Sequence, residues 1–317
     1  MPRVRLTETK SWEEICEKIM AEANLKTPGF KKWLMSKENL NGVFFDSLMW
    51  RRLYGVWDKV NNQDYDHFWV NSGVEGEGKT TLSIQQACVL DPTWSLNKLL
   101  YNPTDFIDKI KYSKKGDCLV LDEGNLFLFS REAMKDSNVF MVKLFALVRA
   151  KNLIVIINVP NFFTLDTYVR DHRTRTLLYI RSRGKYSCYR KKAIRLISHY
   201  GKATKQIAGV IVPATTVFKG WFNKYYPATI DENEYRKFKE KNFNIFIDDI
   251  KQTLAKRTKQ SEFVSLQEAK TIVPLKNESF VRLIEKGELE GKKVGMKWFI
   301  RRKSLENTAK TKDLGAN

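Results

Sequence analysis

"VNSGVEGEGKTTLS", residues 70–83, contains Gly73, Gly78, Lys79 and Thr80 in the order G-x-x-x-x-G-K-[ST]. The stretch "DHFWVNS" precedes it and reads as a strand, and "KTTLSIQQACVL" follows it and reads as a helix. Glycines at these places let backbone N–H groups wrap phosphates, and the helix N-terminus adds positive potential. Residues Gly73, Val74, Glu75, Gly76, Glu77, Gly78, Lys79, Thr80 and Thr81 are therefore expected to bind a nucleotide. Lys79 is expected to reach the β- and γ-phosphates, and Thr80 to hold Mg²⁺.

"CLVLDE" (118–123) supplies the complementary half. Four apolar residues form a buried strand that delivers Asp122 to the metal, and Glu123 follows where a carboxylate can polarise the attacking water. The adjacent glutamate marks the P-loop ATPases that insert an extra strand between the two motif strands. "LIVIIN" (153–158) fits that strand. Its last residue, Asn158, is a candidate to sense the γ-phosphate or orient the water, with an ordinary turn residue as the alternative. The fold class expected is α/β: a P-loop NTPase with a central, mostly parallel sheet, a helical N-terminal region and a small C-terminal domain.

The remaining composition narrows the class. The chain has 317 residues, a net charge of +20 and a pI near 9.7, which points to a polyanion partner, nucleic acid before an anionic membrane. Cys16, Cys88, Cys118 and Cys188 are scattered without metal or disulfide spacing. No apolar leader opens the sequence, and "NLIVIINV" is too short to span a bilayer. The expectation is a cytoplasmic protein, in the host cytoplasm if viral, with reduced thiols and no membrane insertion.

Five segments are expected: a helical region over 1–60, the ATPase domain over 61–228, a polar helical connector or lid over 229–260, a small domain over 261–308 and a flexible tail over 309–317. "TRTLLYIRSRGKYSCYRKKAIRL" (174–196) reads as a hairpin turning at "RGK". No acid interrupts the basic residues between 173 and 205, and four tyrosines are interleaved. Arg181, Arg183 and Lys185 are candidate phosphate contacts, with tyrosines to stack on bases. The same alternation also permits buried tyrosines beneath merely exposed charges.

"LVLDEGNLFLFSRE" and "LVRAKNLIVIINVPNFFTLDTYVRDHRTRTLLYI" resemble the FtsK–HerA group of DNA-pumping ATPases, above all its compact viral and plasmid members, including zonula-occludens-toxin-like and DNA-packaging ATPases. The resemblance covers about residues 66–185. It implies ATP as the nucleotide and assembly into a ring, expected to be hexameric. Arg149 and Arg170 match places from which such proteins offer an arginine to a neighbouring site. At Asn158 many members carry glutamine.

In the C-terminal stretch, Ser265 and Glu268 form a capping box, a second helix opens at Asn277 or Glu278 and ends at Gly287, and "KKVGMKWFI" is a hairpin turning at Gly295. "VSLQEA", "VRLIEKGEL" and "VGMKWFIRRKSLE" resemble excisionase and MerR-like winged helix-turn-helix domains, although "IVPLKNES" replaces their smaller turn. The resemblance implies DNA contact by Ser279, Arg282 and Lys286 on the second helix, and by Lys292, Lys293, Lys297, Arg301 and Arg302 around the wing.

The sequence therefore leads to an ATP-hydrolysing motor or processing enzyme acting on DNA, single- or double-stranded. The alternatives are an AAA+-type replication initiator or helicase loader, and an ATP-gated DNA-binding regulator or partition protein.

Overall fold

The structure, a computed structural model, describes residues 11–40, 43–122, 137–200, 217–261 and 263–313. The chain divides into two compact units, Met1–Phe238 and Lys239–Asn317. The division falls inside one long helix, not at the boundaries 228/229 and 260/261 read from the sequence.

In the first unit the strands are β1 (His67–Gly73), β2 (Leu99–Leu100), β3 (Cys118–Leu121), β4 (Ile154–Val159), β5 (Thr174–Ser182), β6 (Lys185–Arg190) and β7 (Phe218–Trp221). They form one sheet in the order β2-β3-β4-β1-β5-β6-β7. The pairs from β2 to β5 are parallel, whereas β6 and β7 are antiparallel. β4 lies between β3 and β1, as the sequence predicts for the inserted strand. Parallel strands covered on both faces are mostly apolar, and β1 and β4 are buried along their full length, with His67, Asn71, Ser72 and Asn158 as the polar exceptions. Alternation then splits their side chains: Trp69, Ile154 and Ile156 enter one core, and Phe68, Val70, Val155 and Ile157 the other.

One face is covered by α1 (Trp12–Glu22), α2 (Pro28–Met35), α3 (Ser47–Asn62) and α4 (Lys79–Leu90). Ser11, Thr27 and Asp46 cap the first three with side-chain oxygens. Trp12 and Trp33 both pack on Trp50, at 6.3 and 6.2 Å between ring centroids. These aromatics share a core with Trp69 and Leu82, so the N-terminal helices are part of the sheet's covering layer. α3 runs past residue 60 to Asn62. Asp46 also accepts the Tyr186 hydroxyl, which ties α3 to β6. Gly220 on β7 leaves room for that pair: a Cβ there would lie 2.4 Å from the Tyr186 hydroxyl.

Helices Pro103–Tyr112, Ser137–Ala150 and Lys191–Tyr200 cover the other face of the sheet, contributing Phe106, Phe145, Val148, Ile194 and Ile197 to the second core. The third corrects the reading of 174–196 as hairpin throughout. From Lys191 the pattern changes to a helical period, with Ala193, Ile194 and Ile197 buried and Lys192 and Arg195 exposed. Residues 201–216 lie outside the described residues, and β7 follows them.

The polar stretch after 229 is one helix, Glu232–Ser261. In the second unit β8 (Phe263–Ser265), β9 (Gly291–Val294) and β10 (Lys297–Arg301) form an antiparallel sheet in the order β8-β10-β9. Helices Leu266–Ile272, Asn277–Glu285 and Arg302–Asp313 accompany it. Ser265 and Glu268 form both halves of the capping box. Val264, Ala269, Val273, Phe280, Leu289, Ile300 and Leu305 make a separate core. The final helix extends to Asp313, into the stretch read as a flexible tail. Among the described residues, no helix is long and apolar enough to cross a membrane.

Candidate nucleotide-binding site

β1, β3 and β4 run parallel and end together, so Gly73, Asp122 and Asn158 meet at one edge of the sheet. This is where open α/β sheets place ligands. The loop from Gly73 rises into α4 through Gly78, whose φ of 88° is left-handed, a conformation that glycine adopts at little cost. Lys79 folds over the loop and donates to the Gly73 and Val74 carbonyls, each at 2.9 Å. Its ammonium is thus held against the loop's own carbonyl oxygens.

Thr80 donates its hydroxyl to Asp122 at 3.0 Å. Asn158 donates to the other Asp122 oxygen at 2.9 Å and accepts from Ser83 at 2.5 Å. Asn71, opposite Asn158 in the β1–β4 register, donates to Ser83 at 2.8 Å and to Gln86 at 2.9 Å. A polar chain therefore runs Thr80–Asp122–Asn158–Ser83–Asn71–Gln86. Asn71, Asn158, Ser83, Asp122 and Gln86 are all buried. Buried polar groups bonded in this way hold one another in place, with Asn71 Oδ1 and Gln86 Nε2 left without a partner among the described residues. Asn158 is part of the site's framework, not a turn residue.

The fold is that of a P-loop NTPase. No protein-family model matches the chain, and no curated protein matches it. Among solved structures it is similar to the N-terminal domain of zonular occludens toxin from Neisseria meningitidis, at 16% identity and a TM-score of 0.28. That match covers 39% of this chain and 82% of the other. The fold assignment rests on the strand order and the loop.

The Thr80 hydroxyl and the Asp122 carboxylate present oxygen donors only, the donor type that Mg²⁺ prefers. Among the described residues there is no group of three His, Cys, Asp or Glu that would make a different metal centre. Glu123 lies outside the described residues.

The two candidate arginines part company. Arg149 is exposed near the end of helix Ser137–Ala150. Arg170 is 6% exposed in a π-helical stretch, Tyr168–Arg173, and donates through Nε to Asp171 at 2.9 Å and to Ser198 at 2.8 Å. The Arg170 guanidinium is thus bonded within its own chain, while that of Arg149 is exposed.

The basic stretch is also partly structural. Arg173 and Arg175 pair with the buried Asp66, and Lys191 donates to the carbonyls of Asp171 and His172. Tyr186 and Tyr189 are buried, which removes them as stacking platforms; Tyr179 is half-buried and Tyr200 exposed. Arg181, Arg183 and Lys185 are exposed around the β5–β6 turn. In the second unit Arg282, Lys286, Lys292, Lys293, Lys297 and Arg302 are exposed and Ser279 is half-buried. Arg301 is paired with Glu290 at 2.5 Å. All four cysteines are buried; burial pushes the Cys16 thiol up to about 11 and the Cys88 and Cys188 thiols to about 12.

Several residues at the site were not singled out in the sequence. Gln85 on α4 donates to the carbonyls of Asn223 and Tyr225, at 3.1 and 2.6 Å, and straps the chain after β7 onto that helix. Phe222 packs against Gly78, and Thr81 donates to the Tyr226 hydroxyl at 3.4 Å. The signal was the polar pair Gln85–Gln86 inside an otherwise apolar helix, together with the aromatics of "WFNKYYP".

Proposed function

We propose that this chain is a Mg-dependent ATPase that binds DNA and couples hydrolysis to moving, packaging or remodelling it, as a ring. The observation that carries the nucleotide half is the Thr80–Asp122–Asn158 constellation beneath the loop, with Lys79 above it. Thr80 and Asp122 would hold Mg²⁺, which when bound neutralises charge on the β- and γ-phosphates. Lys79 and the loop amides would bind the same phosphates, and Asn158 would keep the Asp122 carboxylate aimed. Glu123, next in sequence, would accept hydrogen bonds from the attacking water. Arg149, exposed on the surface, would serve a neighbouring subunit's site. Catalysis in such a site is positioning and electrostatics.

The DNA half is supported by the charge of +20 and by two exposed basic groups. Arg181, Arg183 and Lys185 surround the β5–β6 turn, and the second unit joins two short helices to a hairpin rich in Lys and Arg. In a winged helix-turn-helix reading the helix Asn277–Glu285 would enter the major groove and the β9–β10 hairpin would contact the backbone.

Mg-ATP turnover with and without duplex DNA, at two salt concentrations and beside Glu123→Gln, tests this function. Stimulation of about tenfold that fades with salt and vanishes in the variant is the expected result. Turnover indifferent to DNA would overturn the motor and leave a nucleotide switch.

A further inference from the structure

The tip of the β9–β10 hairpin carries a side chain that the fold of the second unit does not use. Val294 ends β9, Lys297 opens β10, and the two face each other in the register, so Gly295 and Met296 alone make the turn. Gly295 takes the left-handed φ of 59° that so tight a turn requires. The next position is then open to almost any residue, polar ones above all. Met296 occupies it and is 97% exposed, more than any other large apolar side chain among the described residues. Val294 beside it is 57% exposed. Ile300, which carries the hairpin's share of the core, sits at the far end of the ladder, opposite Gly291.

The surroundings of the tip are basic on both faces. Successive strand residues point to opposite sides, so Lys292 and Lys293 lie on different faces of the ribbon. Each lays its ammonium over a ring on its own side, Lys292 over Phe263 at 4.0 Å and Lys293 over Trp298 at 5.7 Å. Lys297 is exposed next to the turn, and no acid occurs from Gly291 to Lys303. A polyanion attracts such a ribbon, and the ribbon's shape restricts which part can enter a groove. Paired strands are about 5 Å apart before side chains are counted, against a minor groove about 6 Å wide, so the apex enters and the strands do not. Lysines on both faces are then placed for the phosphates on either side of the groove.

We propose that Met296 is an apolar wedge that enters the minor groove of duplex DNA and parts a base step beneath the hairpin, bending the duplex. This rests on the DNA-binding reading of the second unit, and it names what the hairpin tip takes. Apolar side chains inserted in this way unstack a step and kink the duplex by about 20–90°. Methionine suits the role, being unbranched and flexible, with a polarisable sulfur that packs well against aromatic rings. Pyrimidine–purine steps unstack most readily and are the steps it would part. A membrane surface fits the tip less well. Interfacial binding scales with buried apolar area, and the tip offers only the Val294 and Met296 side chains.

Base-stacking fluorescence on the full chain, without nucleotide, tests it. The probe is a duplex of about 30 base pairs with 2-aminopurine in place of adenine at TA steps, beside the same duplex end-labelled to read bending by energy transfer. With saturating wild type the 2-aminopurine signal is expected to rise about twofold and the duplex ends to draw together. Met296→Ala should still bind, weaker by about tenfold at most, yet at saturation leave both signals near those of the free duplex. Met296→Leu should keep both responses, and Met296→Gln, similar in length but polar, should lose them. Lys297→Ala should weaken binding and its salt dependence but keep both responses at saturation. A Met296→Ala protein that unstacks and bends the duplex like the wild type overturns the proposal. So does a wild type that binds without unstacking, and there the DNA-binding reading stands. Binding to anionic phospholipid vesicles that needs Met296, with no unstacking of the duplex, would overturn it in favour of a membrane contact. If the wild type binds no duplex, both readings fall.

Discussion

Asn158 donates its side-chain amide to Asp122 at 2.9 Å, across two adjacent parallel strands and with both residues buried. The contact joins the inserted strand to the residue expected to hold the metal. Through Ser83 it also reaches the interior of α4, so the loop helix, β1, β3 and β4 share one hydrogen-bonded frame.

Replacing Asn158 by alanine is expected to remove one hydrogen bond each from Asp122 and Ser83, leaving Thr80 on the first and Lys79 and Asn71 on the second. Loss of about 1–3 kcal/mol of stability should follow, read by denaturant unfolding. Affinity for nucleotide in the presence of Mg²⁺ should fall further than affinity in EDTA, because the aim of Asp122 is what has been disturbed. Equal losses in both conditions would assign Asn158 to folding alone.

The two arginines are separable by stability and by mixing. Arg170→Ala leaves Asp171 and Ser198 without their cation and should cost about 1–3 kcal/mol. Arg149→Ala should stay within about 0.5 kcal/mol of the wild type, as exposed substitutions do. If Arg149 serves a neighbour, mixing Arg149→Ala with Glu123→Gln subunits restores some turnover. Recovery from Arg170→Ala in the same mixture would contradict its assignment as an internal structural residue.

Gly220→Ala should be among the most damaging small substitutions away from the loop. The added carbon would meet Asp46 and the Tyr186 hydroxyl, both held by the contact between α3 and β6. Overpacking of this kind costs about 1–3 kcal/mol, and a lower Tm without loss of nucleotide contacts is the expected signature. An unchanged Tm would mean that the Asp46–Tyr186 contact yields freely.

Lys37 supplies a pH dependence. It is 4% exposed with its ammonium 5.1 Å from the Trp33 ring centre, and burial lowers its pKa to about 8 despite the attraction of Asp91. The unfolded chain holds that proton up to about pH 10.4. The folded protein therefore carries no penalty above the unfolded value, a growing one as pH falls toward 8, and a constant one below. Lys37→Met should stabilise the protein by about 1–3 kcal/mol at pH 7, and the gain should shrink at pH 10. A gain equal at both values would exclude the charge as its source.

For DNA, Lys293→Ala combined with Lys297→Ala should weaken binding and lower the slope of log affinity against log salt by about 2. Both side chains are exposed on the β9–β10 hairpin, so folding should be untouched. Fluorescence anisotropy with a labelled duplex at several salt concentrations measures the slope. An unchanged slope would remove the hairpin from the proposed DNA surface.

The amino-acid sequence determined the nucleotide loop, the strand carrying Asp122, the inserted strand ending in Asn158, and the helix–helix–hairpin order of the second unit. Each is a contiguous stretch whose local chemistry suffices: glycines and a lysine before a helix, an unbroken apolar run before an acid, a capping box before an amphipathic period. The tertiary structure alone decided which charges are free and which polar residues meet. Arg173 stands in an unbroken basic stretch, yet its acid is Asp66, 107 positions earlier. Tyr186 alternates with charges as a stacking residue would, and it faces the layer made by α3. Thr81 finds Tyr226 across 145 positions. Periodicity states that a side chain points to one face or the other, but what covers that face is set by segments far away in the chain. For that reason the loop could be read from the sequence, and the contact between Thr81 and Tyr226 beside it could not.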